Sequence, residues 1–421
     1  MQDPKIQLNI GLFGFGVVGE GLYKVLAHTP GLNAQIKKVC IKHPEKERNA
    51  PAQLFTTDAA LLLDDAEINV IVELIDDADA AHAIVTTALS RGKAVVSANK
   101  KMIAEHIREL IALQQEHDVP FLYEAACCAS IPVIRNLEEY YDNDLLQGIS
   151  GIVNGSTNYI LTKIFEENIG FEQALVQAQQ AGFAESNPAL DIEGIDAVNK
   201  LSILLTHGYG IITPPLAVVH AGINTLHKAD AVFAKEKGYE IKLVAQARKL
   251  SNGKIAAFVA PQFVRASNQL SNVRNEYNGV VIESGLADKQ FFYGKGAGGF
   301  PTASAVLSDL SALRYNYRYE YKKLNFGTPS ELTDDFYLKV CLGFKNLTQL
   351  PQERFQQITE WTSNGVRCHV TGIIHFSEFV NGNWWKQPGM SVIIYPDGIL
   401  EQPELADAED PLVLSGHLEL V

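Results

Sequence analysis

At 421 residues the chain is too long for one ordinary domain and predicts two to three. It is 47% hydrophobic and 20% charged, enough apolar material for a sizeable core, and its formal net charge of -14 excludes the basic footprint that a nucleic-acid partner requires. No apolar run follows Met1 as in a secretory signal, windows such as Ala125 to Ile134 fall short of the roughly 18 residues of a membrane span, and five cysteines without a Cys-x-x-Cys pair predict reduced, buried thiols in a cytoplasmic protein and no zinc site.

The first third alternates short apolar runs with longer helical patterns. Ile6 to Phe13 reads as a strand, followed by a glycine turn and a helix to about Leu26, with further strands at Ile36 to Ile41 and Asn69 to Ile75. Helix Ala80 to Arg91, strand Ala94 to Ser97, helix Lys101 to Glu116 and a strand at Phe121 to Cys127 complete the series. Alternation at this spacing predicts an α/β fold built on a Rossmann-type, doubly wound parallel sheet covered on both faces. Beyond Pro132 come strand-like Gly148 to Val153, helical Tyr159 to Glu166, Phe171 to Ala181 and Asp196 to Leu205, then short turn-bounded runs between Ile241 and Gln290. These predict a second, α+β domain for substrate binding and dimerisation, with an antiparallel or mixed sheet. A glycine cluster, Gly294-Lys-Gly-Ala-Gly-Gly299, precedes a helix over Thr302 to Leu313, and Tyr315 to Asp335 reads as a polar linker. The remainder reads strand (Phe336 to Phe344), helix (Gln352 to Thr362), strand (Val366 to Phe376) and strand (Met390 to Tyr395), a small α/β module. The expected domains are 1–132, completed near 299–318, then 133–298, and a C-terminal unit over 331–421.

Gly14-Phe15-Gly16-Val17-Val18-Gly19 follows a strand and opens a helix, the context in which glycines let a backbone approach a dinucleotide pyrophosphate on helix N-terminal amides. About 20 residues on, an acid would bind a ribose 2'-hydroxyl, but Lys42 and His43 stand there with Lys46 and Arg48 close by. Cations at that point suit a 2'-phosphate and predict NADPH, while Glu45 and Glu47 dilute the basic signal and leave NADH as the alternative.

Asp196 and Lys200 are four apart on a predicted helix and share a face, with Glu185 and Asp191 just upstream. From spacing alone such a pair is more often a solvated ion pair. In a dehydrogenase site it has a use, because hydride addition to an aldehyde develops negative charge on oxygen and calls for a cation or proton donor. Glu185 and Asp191 could support Lys200 or instead hold the ammonium of an amino-acid substrate, whose carboxylate the Gly155-Ser156 turn could receive. Lys100, after the carboxyl end of a parallel strand, is placed where such sheets bind ligands.

Four stretches carry a more specific resemblance. Ser97-Ala-Asn-Lys100 resembles the T-A-N-K segment of homoserine dehydrogenases, and Asn154-Gly-Ser-Thr-Asn-Tyr-Ile-Leu161 is similar to their N-G-T-T-N-Y-I-L. Ala181-Gly-Phe-Ala-Glu-Ser-Asn-Pro188, with Asp191 to Lys200, is similar to their G-Y-A-E-x-D-P and D-x-x-G-x-D-A-x-x-K segments. Tyr293 to Val306 is close to their Y-G-x-G-A-G-x-x-P-T-A-S-A-V. The matches occur in family order and, with the glycine loop, span about Ile6 to Leu313. The resemblance implies NADPH-dependent reduction of L-aspartate 4-semialdehyde to L-homoserine by a homodimer or homotetramer. It further implies Lys200 as proton donor with Asp196 and Lys100 in the catalytic set, Glu185 as a substrate contact, and Gly296 beside the cofactor. A monovalent cation such as Na+ is implied at Glu124 and the carbonyls of Cys127, Ala129 and Ile131. The rival readings are another oxidoreductase of small amino-acid aldehydes and a non-catalytic dinucleotide sensor.

Several positions depart from the family pattern. Cys127-Cys-Ala-Ser130 replaces a glycine-rich turn, Asp76-Asp77 replaces Gly-Gly, Phe183 replaces a tyrosine and Asn187 an aspartate. The C-terminal region stands where many members carry a ligand-sensing ACT domain, but its usual glycine-and-leucine signature is missing.

Overall fold

A computed structural model of the chain describes residues 7–403 except 144 and 327–328, so Ile6 of the first expected strand and positions 404–421 of the expected C-terminal unit lie outside the described residues. Two sheets organise it. The first is parallel, with strands β1 (Leu8–Phe13), β2 (Ala34–Cys40), β3 (Phe55–Thr56), β4 (Val70–Glu73), β5 (Ala94–Ser97) and β6 (Phe121–Leu122) in the order β3-β2-β1-β4-β5-β6. Its central strands are apolar on both faces, and Val70, Ile71 and Val72 are all buried, as a sheet covered by helices on each side demands. The order reverses between β1 and β4, which places a crevice beyond their carboxyl ends.

The second sheet is mixed. It contains β7 (Leu146–Ile152), β8 (Tyr239–Lys249), β9 (Ile255–Arg265), β10 (Tyr277–Ser284), β11 (Asp288–Lys295), β12 (Tyr337–Phe344), β13 (Phe355–Ser363), β14 (Cys368–His375) and β15 (Ser391–Leu400). Their order is β11-β10-β7-β8-β9-β15-β12-β14-β13, antiparallel throughout except where β15 runs beside β9. The C-terminal strands thus continue the sheet of the preceding region. Their apolar cluster of Phe336, Leu338, Val340 and Ile374 takes in Ala256, Phe258 and Ala260 of β9. The helix Gly299–Leu313 returns to the parallel sheet and packs along Val17–Ala27, where Gly21 and Gly299 let the two backbones come close.

Two expected elements are corrected. The segment read as a helix over Gln352 to Thr362 is a short 3-10 turn, Gln352–Arg354, followed by the edge strand β13. The strand expected through Cys127 stops at Leu122, because Glu124–Ala126 turns to let the Glu124 carboxylate cap the helix Val133–Glu139. All five cysteines are free; Cys127, Cys128 and Cys341 are buried, while Cys40 and Cys368 are only partly so. Among the described residues no helix is long and apolar enough to cross a membrane.

Candidate functional site

The glycine loop joins β1 to the helix Val17–Ala27 at the carboxyl edge of the parallel sheet. Gly14 has φ +91, and a Cβ there would stand 2.6 Å from the Leu74 carbonyl oxygen, so both conformation and space require glycine. A Cβ on Gly16 would meet no protein atom within 4 Å, and no side chain caps the helix. Packing therefore does not dictate glycine at Gly16. An open backbone before uncapped amides is what the approach of a pyrophosphate uses, and these residues fit a dinucleotide. Val17 is exposed and Phe15 packs edge-on to Phe55, 5.0 Å between ring centroids. Past β2, Lys42 is exposed, whereas Arg48 is engaged in folding its own loop through the His43 and Lys46 carbonyls, 2.7 Å each.

At the ends of β4 and β5, buried polar groups lock two turns together. Ser97 Oγ donates to Glu73 Oε2 at 2.5 Å, and the Ile75 amide donates to Glu73 Oε1 at 2.7 Å. Burial pushes the Glu73 carboxyl up to about 7. Asn99 donates to the Ile75 carbonyl and caps the helix Lys100–His117 by accepting from the Met102 amide, both at 3.0 Å. Lys100 therefore leaves the sheet edge in a fixed direction.

Lys100 points at Asp196. The two oxygens of that carboxylate hold one lysine each: Oδ1 lies 2.9 Å from Lys100 Nζ and Oδ2 lies 2.7 Å from Lys200 Nζ. Lys200 Nζ also donates to the Val153 carbonyl at 2.6 Å. The Asp196–Lys200 pair is not a solvated ion pair, since its side chains are only 5% and 8% exposed. Burial works against ionisation of Asp196, but Lys100 and Lys200 outweigh it and hold the carboxyl well below its ordinary range. Asp196 in turn raises Lys100.

Asn154 completes the network. Its Oδ1 caps the helix Gly155–Glu167 through the Thr157 amide, while Nδ2 donates to Asp191 at 2.7 Å and Asp196 at 2.8 Å. Asp191 is thereby tied to the same hub. The structure thus brings together Lys100, Asp196, Lys200 and Asp191. Glu185 stays exposed, its backbone carbonyl accepting from Gln179, and joins none of these contacts. Ser156 Oγ donates to the Phe183 carbonyl at 2.6 Å, so its proton is already engaged. Gly155 allows close passage of the Glu276 backbone, and Gly296 is demanded by the Asn278 side chain pressed against it. Sequence reasoning passed over Asn154 and Asn99; the signal available was an Asn before each helical run, the N-cap position.

The Glu124 site is buried. Its carboxylate accepts the Ile134 and Arg135 amides at 2.9 Å each, and its own amide donates to Asp309 Oδ2 at 2.9 Å. Burial, with Asp309 alongside, pushes Glu124 up to about 8, and burial pushes Asp309 up to about 7. Two buried carboxyls thus face one guanidinium, Arg135, 2.7 Å from Asp309. A cation bound there would offset the burial and favour the ionised form of Glu124, although the Ile131 carbonyl already accepts the Val133 amide at 2.8 Å. The adjacent turn keeps a glycine-like path without glycine: Cys128 has φ 56 and Ala129 φ 39. Ser130 holds it in place, its Oγ and amide both donating to the Lys295 carbonyl. Ala129→Gly is therefore expected to stabilise the fold by about 0.5–1 kcal/mol, the left-handed strain relieved less the added freedom of the unfolded chain. Urea unfolding of both proteins checks this, and an unchanged or lower midpoint would refute it.

Two of the other departures, Asp77 and Phe183, also find local partners. Asp77 caps the helix Ala78–Ser90 through the Ala80 amide at 3.0 Å. Phe183 packs on Tyr159 with 4.8 Å between ring centroids.

Comparison with known proteins agrees with this geometry. Residues 14–124 match the family model described as "Homoserine dehydrogenase, NAD binding domain", and residues 132–311 match "Homoserine dehydrogenase". The homoserine dehydrogenase of Bacillus subtilis (strain 168) is 34% identical over 385 residues, covering 85% of this chain and 88% of that protein. That of Lactococcus lactis is 32% identical over 396 residues, covering 87% and 92%. Among solved structures, a homoserine dehydrogenase from Thiobacillus denitrificans superposes with a TM-score of 0.81 at 27% identity, covering 93% of this chain and 98% of that one. A hyperthermophilic archaeal homoserine dehydrogenase in complex with NADPH gives a TM-score of 0.64 at 26% identity, over 75% and 99%. Together with the two-lysine carboxylate at the edge of a dinucleotide-binding sheet, these matches place the chain in the homoserine dehydrogenase family of NAD(P)-dependent oxidoreductases.

Proposed function

We propose that this chain reduces L-aspartate 4-semialdehyde to L-homoserine, in threonine and methionine biosynthesis, with hydride from NADPH and a proton from Lys200. The observation that carries the reading is the buried Lys200 ammonium, fixed by Val153 and Asp196, one carboxylate away from Lys100 at the sheet edge. Bound dinucleotide supplies the hydride; the remaining work belongs to the chain. As hydride reaches the aldehyde carbon, charge grows on oxygen, and an ammonium in hydrogen-bond reach protonates it. Asp196 anchors that ammonium and Lys100 together, Lys100 lying at the junction of nicotinamide and substrate. Asp191, tied to the hub by Asn154, receives the substrate's ammonium, with Glu185 a further contact on the strength of family resemblance alone, and the Gly155 and Ser156 amides, at a helix N-terminus, receive its carboxylate.

The exposed Lys42 supports a contact to a 2'-phosphate, hence NADPH over NADH. The paired buried acids Glu124 and Asp309 support a monovalent cation such as Na+, held by Glu124 with the carbonyls of Cys127, Ala129 and Ile131, as a structural charge beside the site. Family resemblance supports a cytoplasmic homodimer or homotetramer. The test is nicotinamide absorbance on mixing the purified protein with aspartate semialdehyde and either cofactor. Oxidation is expected with both, with kcat/KM higher for NADPH by about tenfold or more, one lysine–phosphate contact. No oxidation of either cofactor would end the reading.

A further inference from the structure

The helices Ala78–Ser90 and Lys100–His117 pack against each other. His106 and Glu109 are three apart on the second and share a face, directed at His82 on the first. His82 Nε2 lies 2.9 Å from Glu109 Oε2, and His106 Nδ1 lies 3.8 Å from the same oxygen. The three ligand atoms are all within 4.8 Å of one another. The two imidazoles stack, with centroids 3.9 Å apart and planes 24° from parallel. We infer that His82, His106 and Glu109 form a surface site for a divalent transition-metal ion of the zinc class, with water as the fourth ligand.

Two imidazoles and one carboxylate are a ligand set that suits zinc in both chemistry and charge. Tetrahedral bonds of about 2.0–2.2 Å set ligand atoms roughly 3.3–3.5 Å apart, and the observed 2.9 and 3.8 Å straddle that spacing. Each nitrogen lone pair lies in its ring plane, so binding requires the His106 ring, 34% exposed, to rotate out of its stack with His82 and turn its nitrogen toward the ion. The ion takes both imidazoles neutral, leaving the carboxylate's charge to favour a dication. Its consequence is mechanical. Each helix begins at the carboxyl edge of the parallel sheet, one capped by Asp77 and the other by Asn99 immediately before Lys100. A metal bridging their sides cross-links the two elements that frame this edge. The spacing in sequence hid the site, since His82 and His106 lie on different helices and form no short motif.

Calorimetric titration of the metal-free full chain with Zn2+ is expected to show about one equivalent bound. The thermal midpoint should rise with Zn2+ concentration. Co2+ should give the visible bands of a tetrahedral nitrogen–oxygen site without thiolate charge transfer, which separates it from Cys40 or Cys368. His82→Ala and His106→Asn should each weaken binding by about tenfold or more. No saturable binding by the unaltered protein, thiolate bands with Co2+, or wild-type affinity in both variants would each overturn the inference. The Co2+ spectrum needs no variant, so a folding defect in one leaves the test intact.

Discussion

Lys200→Met is expected to lower turnover by about 10²–10⁴-fold, the usual contribution of a positioned general acid, while NADPH still binds. Methionine matches the lysine stem closely enough to keep the packing of the helix Ile195–Tyr209, on which Lys200 is 7% exposed. Asp196 would keep Lys100 and Asn154 as partners, so the hub loses one arm and not its centre. The glycine loop is held by Leu74 and the parallel sheet, which the substitution does not touch. The effect should therefore fall on kcat, with NADPH affinity, read by fluorescence titration, unchanged. In the oxidative direction Lys200 has to accept the alcohol proton. Homoserine oxidation should then fall by a similar factor in the variant. Turnover retained by Lys200→Met would remove Lys200 from the chemistry.

Much of this frame is legible in the residues themselves. β5 was readable from the run Ala94-Val-Val-Ser97 because a buried parallel strand needs an unbroken apolar stretch between turns. The glycine loop was readable because Gly14 answers a steric demand. β13 was not. Phe355, Ile358 and Trp361 recur every three residues, a helix-like spacing, yet they lie on one strand whose register slips between Phe355 and Gln357 and again between Ile358 and Glu360. Each extra residue of a bulge turns a spacing of two into three, so an irregular edge strand imitates a helix. The site divides similarly. Spacing put Asp196 and Lys200 on one face, but burial, which decides between a solvated pair and a charged hub, arises from β7, Val153 and Asn154, more than 40 positions upstream of Asp196. The Glu124 turn was hidden for the same reason, its partner Asp309 lying 185 residues away.

Asp196→Asn is expected to reduce both stability and turnover, and the pH dependence of the stability loss identifies its cause. Burial alone would favour the neutral acid; Lys100 and Lys200 reverse this and depress the folded value. A depressed carboxyl contributes its stability in full above the unfolded value near 3.9 and loses it as pH falls from there toward the folded value. The deficit of the variant should therefore be constant across neutral pH and narrow below about pH 4. Its size follows from what is left behind. Lys200 is buried and would face only the Val153 carbonyl and a neutral amide, and breaking one side of a buried pair costs about 3–5 kcal/mol. Lys100, 43% exposed, is screened by water and adds little to that figure. Turnover should fall as well, because an ammonium without its anchor no longer faces the carbonyl. Urea unfolding at neutral pH and near pH 3, with the turnover assay, separates the outcomes. A deficit of the same size at both pH values would assign the loss to packing and not to charge. Wild-type stability and turnover together would return Asp196 and Lys200 to an ordinary ion pair, leaving both lysines without the carboxylate that holds them at the sheet edge.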